Sequence, residues 1–405
     1  MTFLSVGPQS VIVPFSASLD GPDVGGGVQT FVRMLCAVSS EVGLELTVLG
    51  VGPHESHGSS VHFFPVLASV RSESEYVRAL KKFVRSRKFH VPEESVVLAN
   101  AEHYSWSLRN LHLPTVLLAH GVVSETLRIR RGRVSALLFR AFIEPRAIRN
   151  ARRVICVTDR VREYYAHRYH REPKEKFVSM SIGVELGAFE HRPKGSPRRD
   201  FAIDEESSII LFVGRLSPEK NVSLFLAACD YLASSGQKFN AVVVGEGPQG
   251  DRLATTLSSR PWLRWVPRTS HDQVLDLMAV ANVLAITSTY EGLPIVLLEA
   301  LGSGLPVVST DVGRARHFLR GATGVVVEPD PASFARALRE ALSARRMKRG
   351  SIDPAIRAAI DFRTTARSIA TILRQVRDEA SARGAVIPHP RQRSWDDKPG
   401  GVRMK

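Results

Sequence analysis

The chain has 405 residues, of which 44% are hydrophobic, and it carries a formal net charge of +15. This length accommodates two domains of ordinary size, each with its own core. Since no apolar stretch approaches the roughly 20 residues needed to span a bilayer, the sequence excludes a transmembrane helix.

The N-terminal sequence and the cysteines are those expected of a cytoplasmic protein. The stretch MTFLSVGPQSVIVPF has no basic start, and polar and turn-forming residues interrupt its apolar run, so a secretory signal is not expected. The cysteines are odd in number and far apart in sequence, which is typical of reduced core thiols. They are Cys36, Cys156 and Cys229.

The first half of the chain alternates strands with helices. Residues 28–42, VQTFVRMLCAVSSEV, have an apolar stripe at helical spacing, and Gly25 to Gly27 before them predict a tight turn. Short apolar runs that end in polar residues predict buried strands at 10–16, 44–50, 95–100, 115–121 and 153–158.

The second half repeats this pattern after a polar linker at residues 191–208. Its predicted strands are 209–215, 239–248, 282–288, 305–310 and 323–329. Alternating strands and helices predict parallel sheets that are covered on both faces and bind ligands at the carboxyl ends of their strands. We therefore predict doubly wound domains at residues 1–190 and 209–384, an active site in the cleft between them, and a disordered proline- and glycine-containing tail at 385–405.

The stretch YEGLPIVLLEALGSG places two carboxylates, Glu291 and Glu299, in an apolar segment. The run NVLAITS before it predicts a strand, Pro294 fits the first turn of a helix, and the last two glycines are natural stops. Glu291 is therefore expected in the loop at the carboxyl end of the strand, and Glu299 inside the helix. Eight residues at roughly 100° each would leave the two carboxylates about 80° apart, so that they converge on one ligand without touching each other. Carboxylates in apolar surroundings need hydrogen-bond donors, and sugar hydroxyls are suitable donors.

A second stretch, FVGRLSPEKN, predicts an anion site. Its strand ends at Gly214, and Arg215 and Lys220 then project over the strand ends beside the start of a helix. The guanidinium group is a forked donor, the ammonium group is a point charge, and the helix start offers free backbone N–H groups. The alternative is two ordinary surface cations near a helix cap. The glycine-rich turn VVGEGP after the next strand is a weak signal by itself.

Residues 128–153 hold nine arginines and one acidic residue, Glu144. The arginines alternate with apolar side chains in an amphipathic pattern, which favours docking on anionic lipid head groups. A solvated basic surface is the alternative. A nucleic-acid interface is a weaker interpretation because no familiar binding motif is present.

Four segments, GRLSPEKN, GEGP, STYEGLPIVLLEALGSGLPVV and STDVG, resemble in order and spacing the C-terminal domain of the retaining GT4-type glycosyltransferases. The resemblance covers residues 209–328, and the first half is more loosely similar through GGGVQTFVRML, LLAHG, RVICVTDRVREYY and SIGVELGAF. It implies an α/β protein of the GT-B fold, with two Rossmann-like doubly wound domains facing each other across a cleft. The first domain would bind the acceptor, the second the nucleotide sugar, and the last helix would return toward the first domain.

The resemblance also implies roles for individual residues. Arg215 and Lys220 would hold the diphosphate, Glu291 would reach the donor sugar, and His120 would face that sugar from the other domain. Glu299 would bind the ribose hydroxyls. Further donor-binding positions are implied at Gly214, near the diphosphate at Gly26 and Gly27, around the base at Gly245, Glu246, Gly247, Val266 and Arg268, and close to sugar or phosphate at Gly292, Leu293, Pro294 and Ile295.

A departing nucleoside diphosphate carries negative charge that must be stabilised as it develops. Some transferases use a divalent cation held by an Asp-x-Asp motif, which this sequence lacks. We therefore expect no metal and no other cofactor, with the two cations and a helix N-terminus taking the metal's role. The histidine pairs His54 with His57 and His167 with His170 have no acidic partners and are not expected to bind metal.

The predicted function is metal-independent, retaining transfer of a sugar from a UDP or GDP donor to a glycan, glycolipid or small-molecule acceptor, in assembly of cell-envelope glycolipid or polysaccharide. The protein is expected in the cytoplasm, at the inner face of the membrane, without a nucleic-acid partner. One alternative is a nucleotide-sugar epimerase of the same fold, against which the set of Arg215, Lys220 and the two glutamates argues. The other is a basic, non-catalytic nucleic-acid-binding protein, against which the absence of aromatic residues among the cations argues.

Overall fold

The computed structural model describes residues 4–5, 9–17, 27–53, 59–70, 72–86, 89–189, 196–343 and 352–384. Within these ranges the strands form two large parallel sheets and a small parallel pair. The strands are β1 (Leu4–Ser5), β2 (Val11–Pro14), β3 (Leu46–Val51), β4 (Val61–Leu67), β5 (Phe89–His90), β6 (Val96–Ala99), β7 (Thr115–Ala119), β8 (Ala151–Cys156), β9 (Phe177–Ser179), β10 (Ile209–Val213), β11 (Asn240–Val244), β12 (Leu263–Val266), β13 (Val283–Ile286), β14 (Val307–Ser309) and β15 (Gly324–Val326). The helices are α1 (Gly27–Val38), α2 (Glu73–Val84), α3 (Glu102–Ser107), α4 (Val123–Arg131), α5 (Arg133–Leu138), α6 (Glu144–Asn150), α7 (Asp159–Arg168), α8 (Ser196–Asp200), α9 (Val222–Ser234), α10 (Gly250–Ala254), α11 (His271–Val280), α12 (Ile295–Gly302), α13 (Ala315–Phe318), α14 (Pro331–Ser343), α15 (Pro354–Ile360) and α16 (Phe362–Gly384).

Both large sheets are doubly wound. The first has the strand order β4-β3-β2-β6-β7-β8-β9, and the second has the order β12-β11-β10-β13-β14-β15. In each, the chain starts in the middle, moves to one edge and then continues on the other side of its first strand. The order in which strands are added to the sheet switches from one side to the other between β2 and β6 and between β10 and β13. Ligands bind outside the carboxyl ends of the strands at such switch points.

Side chains from each strand pack on both faces of the sheet. In β10, Ile209 and Leu211 belong to the apolar cluster that includes α12, whereas Ile210 and Phe212 belong to the cluster that includes α9 and α14. Because helices cover both faces, a strand must be apolar at every position rather than at alternate ones. This is why continuous apolar runs predict the strands of this protein.

The last helix of the chain returns to the first sheet. Helix α16 packs against α1 and against β6, β7 and β8. We call the place where the chain just before α16 pairs with the backbone of Val184 the crossing point. There the N–H of Val184 donates to the carbonyl of Ile360 at 2.7 Å, and the N–H of Phe362 donates to the carbonyl of Val184 at 3.0 Å. One apolar cluster therefore contains residues of both sheets.

The predicted doubly wound α/β class is confirmed, and each predicted strand overlaps an observed one. Helix α1 ends at Val38, earlier than the predicted residue 42. Strands β4, β9 and β12 are absent from the prediction because proline, charge or short length breaks their apolar pattern, as in VHFFPVL and LRWV. The predicted linker includes the short helix α8.

Several predicted features lie outside the described residues, namely Gly25, Gly26, His54, His57 and the segments 191–195 and 385–405. Among the residues that the structure does describe, no helix is long and apolar enough to cross a membrane. All three cysteines are free thiols. Burial raises the pKa of Cys36 and Cys156 to about 12, so neither ionises readily to the reactive thiolate.

Gly183 lies at the crossing point of α16 and has no room for a side chain. A Cβ there would lie 2.6 Å from the carbonyl oxygen of Ile360 and would meet the backbone of Asp361. We expect Gly183→Ala to displace the segment before α16 and to lower the free energy of unfolding by about 1–3 kcal/mol, as overpacking does elsewhere. Gly187→Ala is the control, because a Cβ at that residue meets nothing within 4 Å. Equal thermal midpoints for the two variants would contradict this expectation.

Candidate active site

The crevice at the carboxyl ends of β10 and β13 gathers the residues predicted to hold diphosphate and sugar. Arg215 and Lys220 lie between β10 and α9, and Glu291 lies between β13 and α12. Helices α9 and α12 pack on opposite faces of the sheet. The two loops that precede them therefore diverge, and the crevice opens between them.

Hydrogen bonds fasten these two loops to each other. The Thr287 hydroxyl donates to the carbonyl oxygens of Lys220 and Asn221, both at 3.0 Å. The backbone N–H of Thr289 donates to the carbonyl of Glu219 at 2.8 Å. A displacement of one loop is therefore transmitted to the other.

The central contact of the crevice is an ion pair between Lys220 Nζ and Glu291 Oε1. The same carboxylate oxygen accepts a hydrogen bond of 2.8 Å from the hydroxyl of Ser288. The two side chains are 21% and 14% exposed, so the pair is largely screened from water. The sequence predicts separate tasks for these two residues, whereas the structure joins them in one contact, so the predicted phosphate and sugar positions adjoin.

Arg215 lies in the loop that follows β10 and is exposed. No hydrogen bond or ion pair involves its side chain among the described residues, and its guanidinium group is therefore available to a ligand. Arg268 differs, because its Nε donates to Glu246 Oε2 at 2.7 Å in an exposed pair at the ends of β11 and β12. The half-buried Val266 ends β12 next to this rim.

Close packing against a neighbouring loop requires glycine at two positions of the turn VVGEGP. A Cβ at Gly245, whose φ is 129°, would overlap the carbonyl oxygen of Gly214, and one at Gly247 would lie 2.5 Å from the carbonyl oxygen of Leu216. The N–H of Leu216 in turn donates to the carbonyl of Glu246 at 2.9 Å. These glycines allow the loops after β10 and β11 to pack backbone against backbone, which fixes where Arg215 leaves the sheet.

Glu299 lies on α12 and is buried, with 6% of its surface exposed. Burial raises the pKa of its carboxyl group, and the nearby His271 partly opposes that rise. His271 Nε2 lies 3.6 Å from Glu299 Oε1. Since α12 begins at Ile295 with Pro294 as its N-cap, Glu291 precedes the helix. The predicted place of Glu291 in the loop and of Glu299 in the helix is confirmed, but the predicted separation of about 80° is wrong, because it assumes helical spacing from Glu291 onward.

The N-terminal ends of α1 and α12 face each other across the cleft. Gly27 opens α1 and Ile295 opens α12, and a Cβ at Gly27 would lie 2.8 Å from Ile295 Cγ1. The first N–H groups of a helix have no partner within it and carry a partial positive charge. An anion in this part of the cleft would therefore lie near two positive helix ends.

Gly292 lies directly against the backbone at the end of β7, in the other half of the molecule. A Cβ at this residue would overlap the carbonyl oxygen of His120. The predicted role of Gly292 at the sugar or phosphate is thus joined by a packing role, in which it lets the loop of the second sheet touch the end of β7. Leu293 beside it is buried and contributes to the apolar cluster.

His120 lies at the end of β7 and packs its ring edge against Phe31, with 5.6 Å between the ring centroids. Burial lowers the pKa of His120 to about 4. Its Nε2 atom is buried and has no hydrogen-bond partner among the described residues. A neutral imidazole with an unused nitrogen can exchange hydrogen bonds with a hydroxyl group in the cleft.

The structure adds residues that have no role in the sequence prediction. Tyr290 accepts a hydrogen bond of 2.6 Å from the N–H of Val122 on the other half of the molecule. Glu219 accepts one of 2.7 Å from Arg130 Nε, also across the cleft. Tyr290 precedes Glu291 and Glu219 precedes Lys220, and this adjacency is the one signal in the sequence that could have drawn attention to them.

In the described part of the chain, no group of three histidine, cysteine, aspartate or glutamate side chains is close enough together to hold a metal ion. His54 and His57 lie outside that part. Metal independence remains a prediction.

Two family models match the chain. Residues 194–357 match the model described as glycosyl transferases group 1, and residues 25–186 match the model described as glycosyltransferase family 4. A relative, D-inositol 3-phosphate glycosyltransferase of Geodermatophilus obscurus, is 32% identical over 219 residues, which are 50% of this chain and 48% of the relative. The chain spans about half the length of the first curated relatives that it matches.

Solved structures share the fold over almost the whole chain. Sucrose-phosphate synthase from Thermosynechococcus elongatus aligns with a TM-score of 0.70 at 18% identity, over 93% of this chain and 99% of that one. Anabaena HepE in complex with UDP-glucose aligns with a TM-score of 0.61 at 15% identity, over 94% of this chain and 100% of that one. Both alignments include the two sheets, and the GT-B architecture is thereby established.

The buried Glu299 carboxylate should weaken the ligand-free fold. Its ordinary pKa is near 4.5 and burial raises it, so between the two values the folded protein binds more protons and its stability falls as pH rises. We expect Glu299→Gln to remove this fall and to raise the free energy of unfolding at neutral pH, because the neutral amide has no charged form to bury. Glu340→Gln, on the exposed face of α14, is the matched control. Parallel curves of stability against pH for Glu299→Gln and the unmodified protein would refute the expectation.

Proposed function

The chain belongs to the GT4-type glycosyltransferases, and on that basis we propose that it transfers a sugar from a nucleoside diphosphate to an acceptor hydroxyl group, with retained configuration and without a metal ion. The observation that carries this proposal is the Lys220–Glu291 ion pair in the crevice between β10 and β13. In this pair a cation that can bind phosphate lies next to a carboxylate that can accept hydrogen bonds from sugar hydroxyls.

The charges in the cleft suit a departing diphosphate. Lys220 and the exposed Arg215 supply two cations, and the facing N-terminal ends of α1 and α12 add partial positive charge. Such fixed charges stabilise an anion as it forms, since they need no reorganisation during the reaction. A divalent cation has no further task in this arrangement.

Donor binding would divide the Lys220–Glu291 pair between two parts of one ligand. The ammonium group would turn to the phosphates, and the carboxylate, still held by Ser288, would accept hydrogen bonds from sugar hydroxyls. We assign no nucleophilic role to Glu291. Instead, the acceptor hydroxyl attacks from the face that the diphosphate leaves, and the diphosphate oxygen accepts the proton of that hydroxyl.

Relatives support a nucleotide-sugar donor and a hydroxyl-bearing acceptor. Anabaena HepE has been solved with UDP-glucose, and the Geodermatophilus relative is named for an inositol phosphate acceptor. For this chain we propose a UDP or GDP sugar, bound by the second sheet and its loops. A glycan, glycolipid or small-molecule acceptor would lie at the carboxyl ends of the first sheet, near His120.

The surface of α4 to α6 supports a membrane-bound acceptor. Four apolar side chains project into solvent there, with exposed fractions of 55% to 70%. They are Val134, Leu137, Leu138 and Phe142. Exposed arginines surround them, including Arg131, Arg133 and Arg146. An apolar ridge inside a basic field is the pattern of a helix that lies in an anionic membrane interface. We place the enzyme on the inner face of the cytoplasmic membrane, in assembly of cell-envelope glycolipid or polysaccharide.

Transfer should continue in the presence of a chelator and should depend on Lys220. A panel of UDP and GDP sugars, assayed for nucleoside diphosphate release, should yield a turned-over donor whose rate EDTA leaves unchanged. Lys220→Ala should lower that rate by about 10²–10³-fold, the usual cost of losing one group that stabilises a developing anion. Lys238→Ala is the control, because that exposed residue lies at the opposite, amino end of the strands. Activity that EDTA abolishes and Mg²⁺ or Mn²⁺ restores would refute metal independence.

Membrane docking should require the apolar ridge as well as the charge. The protein should sediment with phosphatidylcholine vesicles that contain phosphatidylglycerol and should remain in solution with phosphatidylcholine alone. Leu137→Ser combined with Phe142→Ser should reduce sedimentation at least severalfold, because binding scales with buried apolar area. Tyr231→Ser is the control, since this side chain is 56% exposed, like Phe142, but lies on α9. Equal partition between the two vesicle types would remove this part of the proposal.

A further inference from the structure

We infer that α4 sets the position of the Lys220–Glu291 pair when the two halves of the molecule close, and that Arg130, Glu219 and Tyr290 are positioning residues for catalysis. The inference rests on the proposed function. Each of the three residues makes a contact between α4 and one of the two loops that carry the pair.

The first contact joins the C-terminal end of α4 to the loop after β10. Glu219 is 3% exposed, and its Oε1 accepts hydrogen bonds of 2.7 Å from Arg130 Nε and from the Ser217 hydroxyl. Its Oε2 is buried without a hydrogen-bond partner among the described residues. Arg130 is therefore the cation on which this buried carboxylate depends, and removing it would leave the charge uncompensated.

Hydrogen bonding shows how closely the carboxylate is held. Burial by itself would raise the pKa of Glu219, but the hydrogen bonds from Arg130 and Ser217 outweigh that effect, and the pKa lies below its ordinary value. The carboxylate is therefore ionised at neutral pH and attracts Arg130 across the cleft. If the two halves separated, Glu219 would exchange this partner for water.

The second contact joins the N-terminal end of α4 to the loop after β13. Val122 is the N-cap of α4, and its N–H donates to the Tyr290 hydroxyl at 2.6 Å. A Cβ at Gly121 would lie 3.4 Å from the same hydroxyl oxygen. Tyr290 therefore fits against a stretch of backbone in the other half of the molecule, with no intervening side chain.

The two contacts bracket the ion pair. Glu219 is the residue before Lys220, and Tyr290 is the residue before Glu291. Between them, the Thr289 N–H donates to the Glu219 carbonyl at 2.8 Å. Helix α4, which has nine residues and is about 13 Å long by helical rise, thus contacts both loops at residues adjacent to Lys220 and Glu291. Closure of the first half onto the second would fix the directions in which Lys220 and Glu291 point.

The ion pair between Arg363 and Glu41 lacks this placement. Arg363 Nε donates to Glu41 Oε2 at 2.9 Å and ties α16 to the segment after α1, remote from both donor loops. Its side chain is 36% exposed, and that of Arg130 is 37% exposed. Arg363→Met is therefore a matched control, because it removes an ion pair of an equally exposed arginine at a site remote from the two loops.

The experiment compares Arg130→Met, Arg130→Lys and Arg363→Met in the full chain. With the donor identified in the panel above, Arg130→Met should lower kcat/KM at least tenfold, measured at a temperature well below the thermal midpoints of both Arg130→Met and Arg363→Met. Arg130→Lys, which keeps the charge, should recover part of the loss, and Arg363→Met should keep normal kinetics. Equal kcat/KM for Arg130→Met and Arg363→Met would overturn the inference while leaving the proposed function in place.

A double-mutant cycle and a solution measurement complete the test. Arg130→Met with Glu219→Gln should lose little more than either single change, because both remove the same contact. Tyr290→Phe should also lower kcat/KM.

Small-angle X-ray scattering gives a readout that needs no turnover. With UDP or GDP added, Arg130→Met should have a larger radius of gyration than Arg363→Met. Additive losses, or equal radii, would overturn the inference, whereas absence of turnover in the unmodified protein would count against the proposed function alone.

Discussion

The ion pair between Lys220 and Glu291 lies where the second sheet reverses its winding, and the other features of the site are arranged around it. A lone charge in so enclosed a crevice would be costly, whereas a pair that is also hydrogen-bonded can be held there. The pair keeps a cation and a carboxylate side by side until a ligand arrives. A molecule that carries phosphates next to sugar hydroxyls would satisfy both charges at once, which links the geometry of the crevice to the chemistry proposed for it.

Glycine determines how closely the halves of the molecule approach. Gly292 lies against the His120 carbonyl, Gly27 against Ile295, and Gly183 against the backbone before α16. At each of these points a single methyl group would push two segments apart. The glycine-rich motifs of this protein therefore have a packing role, because they permit the close contacts between the two halves of the molecule.

Local patterns located most of the elements and most of the charged site residues. Apolar runs identify the strands because both faces of each sheet are covered, and the helix start at Ile295 follows from the fixed φ of Pro294. The angular argument for Glu291 and Glu299 is wrong because it assumes helical spacing from Glu291 onward, whereas the proline begins the helix after Glu291. The packing roles of Gly245 and Gly292 could not be predicted from the sequence either, since a glycine in a sequence does not reveal which backbone will lie against it.

The α/β class, the doubly wound alternation and the charged residues at the strand ends can be inferred from the amino-acid sequence, because periodicity and turn chemistry act between near neighbours. Which of these residues meet depends on the three-dimensional packing. Lys220 and Glu291 are 71 residues apart, Arg130 and Glu219 are 89 apart, and Val122 and Tyr290 are 168 apart. Contacts over such separations depend on how two sheets and the returning helix α16 pack together, and the packing of many side chains at once is not encoded in any local pattern.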